Sequence, residues 1–192
     1  MGRRSFRGLV LVGFMGSGKT SVGQEISRRL GAEFLDLDDR IERIAGSSVR
    51  EIFADRGERE FRELETEAIR EAVSVAGRVI ATGGGAFQNE ENRNLLKGYA
   101  PVVFLDVTPD GVVSRLSGDR TRPLLPGNGT GGEQEIVRMM KVRRPAYELA
   151  DLTVRTDGIT VSQVADRVLE RIGLGPLRDT GPDDRTGGGS PG

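Results

Sequence analysis

The chain contains no cysteine and no histidine. Without thiols there is no disulfide, no thiolate nucleophile and no Cys-ligated zinc, so a secreted disulfide scaffold is excluded. Without imidazole there is no His-mediated proton transfer and no His-bound metal. A general base must then be Asp, Glu, Lys or Tyr, and a metal would be hard and oxygen-ligated, such as Mg²⁺. Long hydrophobic runs are also missing. Residues 8–15 are apolar, but they are too short to span a membrane and lead straight into a glycine-rich loop. Neither a signal peptide nor a span is expected, Met1–Arg7 reads as a solvated basic N-terminus, and the cytoplasm is the default location. Charge of one sign is lacking too: 28 Lys and Arg face 29 Asp and Glu, a formal net charge of −1. No global field favours nucleic acid or membranes, and any attraction for an anion must come from local placement of arginines.

What is present is an ordinary soluble composition, 36% hydrophobic and 30% charged over 192 residues, the length of one domain. Apolar patterning predicts strands at Leu9–Val12, Glu33–Leu37, Val79–Thr82, Val102–Asp106 and Leu152–Arg155. Helices are predicted at Ser21–Leu30, Ile41–Ala45, Gly57–Val75 and Asn89–Leu96. Another runs over Glu133–Tyr147 with an interruption near Pro145, and a last one starts at Thr160, where Gln163 completes a capping-box pattern. Thr108-Pro109-Asp110 supplies an N-cap, a proline at the first helical position and an early acid. Alternating strands and helices imply an α/β fold of three αβα layers, with five parallel strands between the helices. Ligands are then expected at the carboxyl ends of the strands. Residues 1–173 form the expected single domain. Ser117–Gly132 reads as a long mobile loop, and Leu174–Gly192, almost half Gly or Pro, as a disordered tail.

Gly13-Phe14-Met15-Gly16-Ser17-Gly18-Lys19-Thr20 fits G-x-x-x-x-G-K-[ST] between a predicted strand and a predicted helix. In such a loop, backbone N–H groups and the helix N-terminus face phosphate oxygens. The lysine reaches the β- and γ-phosphates, and the hydroxyl can ligate Mg²⁺. Gly16, Ser17, Gly18, Lys19 and Thr20 are therefore nucleotide-binding candidates. A guanine-reading N-K-x-D is absent, and D-x-x-G occurs only in the tail, which argues against a GTPase. The third strand runs into Gly83-Gly84-Gly85 instead of an acid, permitting close backbone approach to a ligand.

Six elements together carry a resemblance to the shikimate kinases. They are the phosphate loop, Leu35-Asp36-Leu37-Asp38, Phe61-Arg62-x-x-Glu65, Gly83-Gly84-Gly85, Arg122-Pro123-Leu124-Leu125 and Arg143-x-Pro145-x-Tyr147. The resemblance implies ATP-dependent phosphorylation of the 3-hydroxyl of shikimate, with Mg²⁺, while the small size and the lack of an obvious apolar surface helix suggest a monomer. It places the acceptor in the region of residues 38–65, with Arg62 and Arg143 on the carboxylate and Asp38 and the Gly83–Gly85 turn on the hydroxyls. It puts Asp36 with Thr20 near the metal, and makes Ser117–Gly132 a lid that brings Arg122 onto the phosphates. Lys19, Asp38 and Arg122 are the implied catalytic residues, with Arg115 and Arg120 weaker candidates. From the residues alone, Arg62–Glu65 also fits a surface ion pair, Arg143 a solvated basic run with Lys141 and Arg144, and Asp38 and Asp39 caps of the next helix. Asp36 also fits a hydrated cap, and Phe53 and Phe61 fit core or pocket wall. The chain departs from the family pattern between Arg143 and Asp151, about one residue short, and in the glycine-rich Pro126–Gly132. A gluconate kinase and a non-catalytic nucleotide-binding regulator are the alternatives.

Overall fold

The computed structural model describes residues 6–117 and 130–174. Arg120, Arg122, most of the expected lid and nearly all of the expected tail lie outside them. Five strands form one parallel sheet: β1 (Leu9–Val12), β2 (Glu33–Asp36), β3 (Arg78–Ala81), β4 (Val102–Asp106) and β5 (Leu152–Arg155), in the order β2-β3-β1-β4-β5. All four pairings are parallel, with Val10 opposite both Ile80 and Val102. Among the described residues, eight α-helices flank it: α1 (Lys19–Leu30), α2 (Leu37–Ala45), α3 (Val49–Asp55), α4 (Gly57–Val73), α5 (Glu90–Tyr99), α6 (Pro109–Ser117), α7 (Thr130–Tyr147) and α8 (Val161–Arg171).

Alternate residues of β1 enter opposite cores, which is why Leu-Val-Leu-Val can be apolar throughout. Val10 and Val12 join Ile80, Phe104, Ile41, Ile69 and Leu96 on one face. Leu9 and Leu11 join Ile26, Val103, Leu105, Val164 and Val168 on the other. Burying each such side chain stabilises the fold by about 1.5–3 kcal/mol before entropy is counted. Both faces are thus covered, and the three layers expected from the alternation are present. Because β1 lies between β3 and β4, the chain leaves it in opposite directions, opening a crevice at the carboxyl ends of the central strands.

Several boundaries differ from expectation, for local reasons. The second strand stops at Asp36 and α2 begins at Leu37, four residues before the expected Ile41, because the Asp36 carboxylate accepts from the Asp38 N–H at 3.1 Å. Asp36, and not Asp38 or Asp39, is the cap. Helix α3 was not anticipated; Ser48 and Glu51 form a full capping box, a signal legible as S-x-x-E. Helix α7 passes through Pro145 to Tyr147 without interruption: the proline lies in its last turn, and Glu148 N–H still bonds to the Arg144 carbonyl at 3.0 Å. The short segment before β5 does not shift the strand, which starts at Leu152 as expected. Asp151 N–H bonds to the Val102 carbonyl at 2.9 Å and its carboxylate accepts from Val102 N–H at 2.8 Å.

Candidate active site

The loop after β1 turns through Gly13 (φ 149°), Gly16 (φ 73°) and Gly18 (φ 92°), conformations that side chains rarely adopt. Gly18 then caps α1 without a side-chain hydrogen bond, and the first turn of α1 contains no acid. Its N–H groups and positive dipole end are therefore directed at the crevice with no carboxylate to satisfy them. The Lys19 ammonium bridges the Gly13 and Phe14 carbonyls at 2.9 and 3.0 Å, which holds it across the loop's mouth. Arg115, at the end of α6, binds the Gly16 carbonyl at 2.8 Å and the Thr156 carbonyl at 2.7 Å, tying the loop to the end of β5.

The Thr20 hydroxyl donates to Asp36 Oδ2 at 2.7 Å, while Asp36 Oδ1 takes the Asp38 N–H. One half-buried carboxylate thus caps α2 and joins the phosphate loop to the residue two positions on. Asp38 leans on the glycine turn after β3: a Cβ added to Gly83 would sit 2.6 Å from Asp38 Oδ1 and 3.1 Å from Glu65 Oε1.

The next two glycines meet the two arginines. A Cβ on Gly85 would lie 2.6 and 2.7 Å from the terminal nitrogens of Arg62. The Gly84 carbonyl accepts from Arg143 at 3.3 Å and from the Tyr147 hydroxyl. Three consecutive glycines therefore present Asp38, Glu65, Arg62 and Arg143 side by side, a convergence that no single motif announces.

Arg62 and Glu65 do not form a surface ion pair. Glu65 is 1% exposed, and its Oε2 accepts from Arg62 at 2.9 Å while Oε1 has no partner among the described residues. Burial pushes the Glu65 carboxyl above the usual range; Arg62 and Arg143 oppose the shift, and repulsion from Asp38 adds to it. Arg62 lies 5.3 Å from the Phe61 ring centroid, and Phe61 packs on the more exposed Phe53 at 4.4 Å, making a wall beside the pair. Nor is Arg143 part of a solvated run. Its guanidinium lies 5.6 Å from the Phe14 centroid, and its carbonyl accepts from Gln88 at 3.2 Å. The neighbouring Arg144 points elsewhere, to Asp106 at 3.3 Å and Glu148 at 2.7 Å.

Of the expected site residues, Gly16–Thr20, Asp36, Asp38, Arg62, Gly83–Gly85 and Arg143 come together; Arg122 lies outside the described residues. The sequence reading gave too little weight to Glu65, which it treated as a partner only, and to Phe14. The spacing of Arg62 and Glu65 signalled the pair but not its burial. A cavity of about 390 Å³ next to this site has Phe14, Phe104 and Tyr147 among its walls and contains none of Gly16–Thr20, Asp38 or Arg62.

A phosphate-cradling loop on a helix N-terminus, beside a pocket of paired guanidinium and carboxylate groups, defines a P-loop phosphotransferase acting on a small molecule. The profile of the family described as Shikimate kinase matches residues 15–173. A shikimate kinase of Geobacter sulfurreducens is 48% identical over 162 residues, covering 84% of this chain and 88% of its own. The structure of shikimate kinase from Acinetobacter baumannii in complex with shikimate superposes with a TM-score of 0.81 at 38% identity, over 88% of this chain and 93% of that one. That of shikimate kinase from Bacteroides thetaiotaomicron gives 0.82 at 33% identity, over 88% and 99%. This chain belongs to the shikimate kinase family, and the gluconate kinase alternative is not favoured.

Proposed function

We propose that this protein transfers the γ-phosphoryl group of ATP to the 3-hydroxyl of shikimate, giving shikimate 3-phosphate and ADP for the synthesis of chorismate and the aromatic amino acids. The observation that carries the reading is the Gly83–Gly85 turn, which sets Asp38, Arg62 and Arg143 beside the Lys19–Thr20 loop. Shikimate has one carboxylate and three hydroxyls. Two guanidinium forks suit the carboxylate, and the Asp38 carboxylate suits a hydroxyl proton. Glu65 holds Arg62 Nη1 from the buried side at 2.9 Å, while Nη2 rests 3.3 Å from Glu58 on the outer side, where the acceptor's carboxylate would replace it.

Lys19 binds the β- and γ-phosphates, with the N–H groups of Gly16, Ser17 and Gly18 around them. The Thr20 hydroxyl and the Asp36 carboxylate would hold Mg²⁺ between them. A donor set of one hydroxyl and one carboxylate fits an ion that keeps several waters and takes phosphate oxygens for the rest. When bound, the ion neutralises charge on the phosphates. Because Asp36 also bonds to the Asp38 N–H, the phosphate side and the acceptor side share one rigid joint. The transition state is loose, so Asp38 mainly orients the attacking hydroxyl and takes its proton late. Arg122 is assigned to the transferring phosphoryl, where arginines contribute on the order of 10³–10⁵ in rate in related reactions. A single unit over 1–173 with a lid, acting as a cytoplasmic monomer, completes the reading.

The test is ADP formation with MgATP and shikimate, against gluconate and no acceptor. Turnover that requires shikimate and disappears in Lys19→Ala is the expected result. Tight ATP binding without shikimate-dependent turnover would instead leave the non-catalytic regulator.

A further inference from the structure

We propose that Tyr147 is a positioning residue for the acceptor, acting on Arg143 through the Gly84 carbonyl; this rests on the assignment of Arg143 to the acceptor's carboxylate. Arg143 and Tyr147 are four residues apart on α7, so their side chains leave the same face of the helix. Both reach one oxygen: Arg143 donates to the Gly84 carbonyl through Nη1 at 3.3 Å, and the Tyr147 hydroxyl donates to the same atom. A carbonyl oxygen has two lone pairs, and these two donors fill them.

The tyrosine is built to stay in place. It is 2% exposed, and its ring stacks on Phe104 with centroids 5.0 Å apart and planes at 19°. Burial pushes its hydroxyl up to about 12, with Arg143 opposing, so it remains a donor throughout the working range. The Arg143 guanidinium lies 5.6 Å from the Phe14 ring centroid, and Gln88 donates to the Arg143 main-chain carbonyl at 3.2 Å.

The consequence is a division of labour. With the hydroxyl on one lone pair, Arg143 need spend only Nη1 on the backbone, and an edge of the fork that includes Nη2 faces the acceptor. If the hydroxyl is removed, a part-buried carbonyl loses a partner, and Arg143, already bonded to it, is drawn closer in its place. Drawn inward, the guanidinium loses the bidentate geometry that a carboxylate requires. The same carbonyl belongs to the peptide that carries the Gly85 N–H, so the turn that supports Arg62 loosens with it.

The experiment is steady-state kinetics of Tyr147→Phe, which keeps the ring and its stack on Phe104, alongside Arg143→Gln and the double variant. Tyr147→Phe is expected to raise KM for shikimate about five- to tenfold, the worth of one net hydrogen bond, with KM for ATP within about twofold. In the Arg143→Gln background the tyrosine change should have no further effect on KM for shikimate, because the two act as a unit. Phe104→Leu, which loosens the ring without touching the carbonyl, should raise the same constant. A merely structural tyrosine would lower the melting temperature and move both KM values together, or neither, and that overturns the proposal. Additive effects in the double variant overturn it as well. If Arg143→Gln itself leaves KM for shikimate unchanged, the carboxylate assignment fails, and the inference with it, in a way the tyrosine data alone would not mimic.

Discussion

Replacing Gly85 by alanine isolates what the glycine turn does for the acceptor pocket. Gly85 has φ −105° and ψ −15°, right-handed values that alanine adopts without strain. The backbone therefore tolerates the change, and the whole effect falls on what the new methyl meets. That is the Arg62 guanidinium: Nη1 at 2.6 Å, Nη2 at 2.7 Å and Cζ at 3.0 Å. Restoring an ordinary contact of about 3.5 Å requires the guanidinium to retreat by about 1 Å, and misplacement on that scale costs on the order of 10²-fold in a positioned site. The far end of an arginine moves easily, so the fold itself loses little. The expected result is a KM for shikimate raised by about 10–100-fold, KM for ATP within about twofold, and a melting temperature within a few degrees of wild type. ADP release coupled to NADH oxidation gives both KM values, and differential scanning calorimetry gives the third number. An unchanged KM for shikimate in a folded Gly85→Ala protein would refute the claim that Arg62 holds the acceptor against this turn.

Three further outcomes follow from the same geometry. Asp38→Asn should lower kcat by at least about 10²-fold while leaving ATP affinity, read by calorimetry, unchanged; an unaltered kcat removes Asp38 from the mechanism. Asp36→Asn should raise the Mg²⁺ concentration for half-maximal activity by about tenfold, since the Thr20 hydroxyl loses its charged acceptor, and a Mg²⁺ titration at saturating ATP checks it. Glu65 has a folded-state pKa raised by burial, so the folded protein holds a proton that the unfolded chain has released. Stability must then fall as pH rises from the ordinary glutamate value of 4.5 towards the raised one, and stay level above it. Thermal melts should show this decline in the wild type and a flatter profile in Glu65→Gln; identical profiles would mean that Glu65 keeps an ordinary affinity for its proton.

The arrangement also explains why two carboxylates and two arginines can share a small space. Asp38 and Glu65 both lie against Gly83, and Asp38 raises the affinity of Glu65 for a proton. Arg62 offsets this on the Glu65 side through a 2.9 Å hydrogen bond, and Arg143 contributes at longer range. Glu65 is thereby committed to Arg62.

Much of this was legible in one dimension. A run of four apolar residues followed by G-x-x-x-x-G-K-T determined a buried strand, a phosphate loop and the N-terminus of a helix, because glycine conformations and helix ends are local matters. The capping box at Thr160, the Thr108-Pro109 helix start and the Gly31 stop were equally local. The start of α2 was misread because a single carboxylate, Asp36, acts at once as strand end, cap and partner of Thr20, and only the last of these is a contact across the fold. What the tertiary structure alone decided is the company each side chain keeps. The i,i+3 pair of Arg62 and Glu65 looks the same in sequence whether it faces water or the core. Burial of Glu65 to 1% depends on Gly83 and Asp38, which are brought up by strands adjacent in the sheet but 45 residues apart in sequence, β2 and β3. Arg143 and Tyr147 likewise form a clamp only because α7 packs against the segment that follows β3, a long-range packing event that the local sequence of neither element encodes.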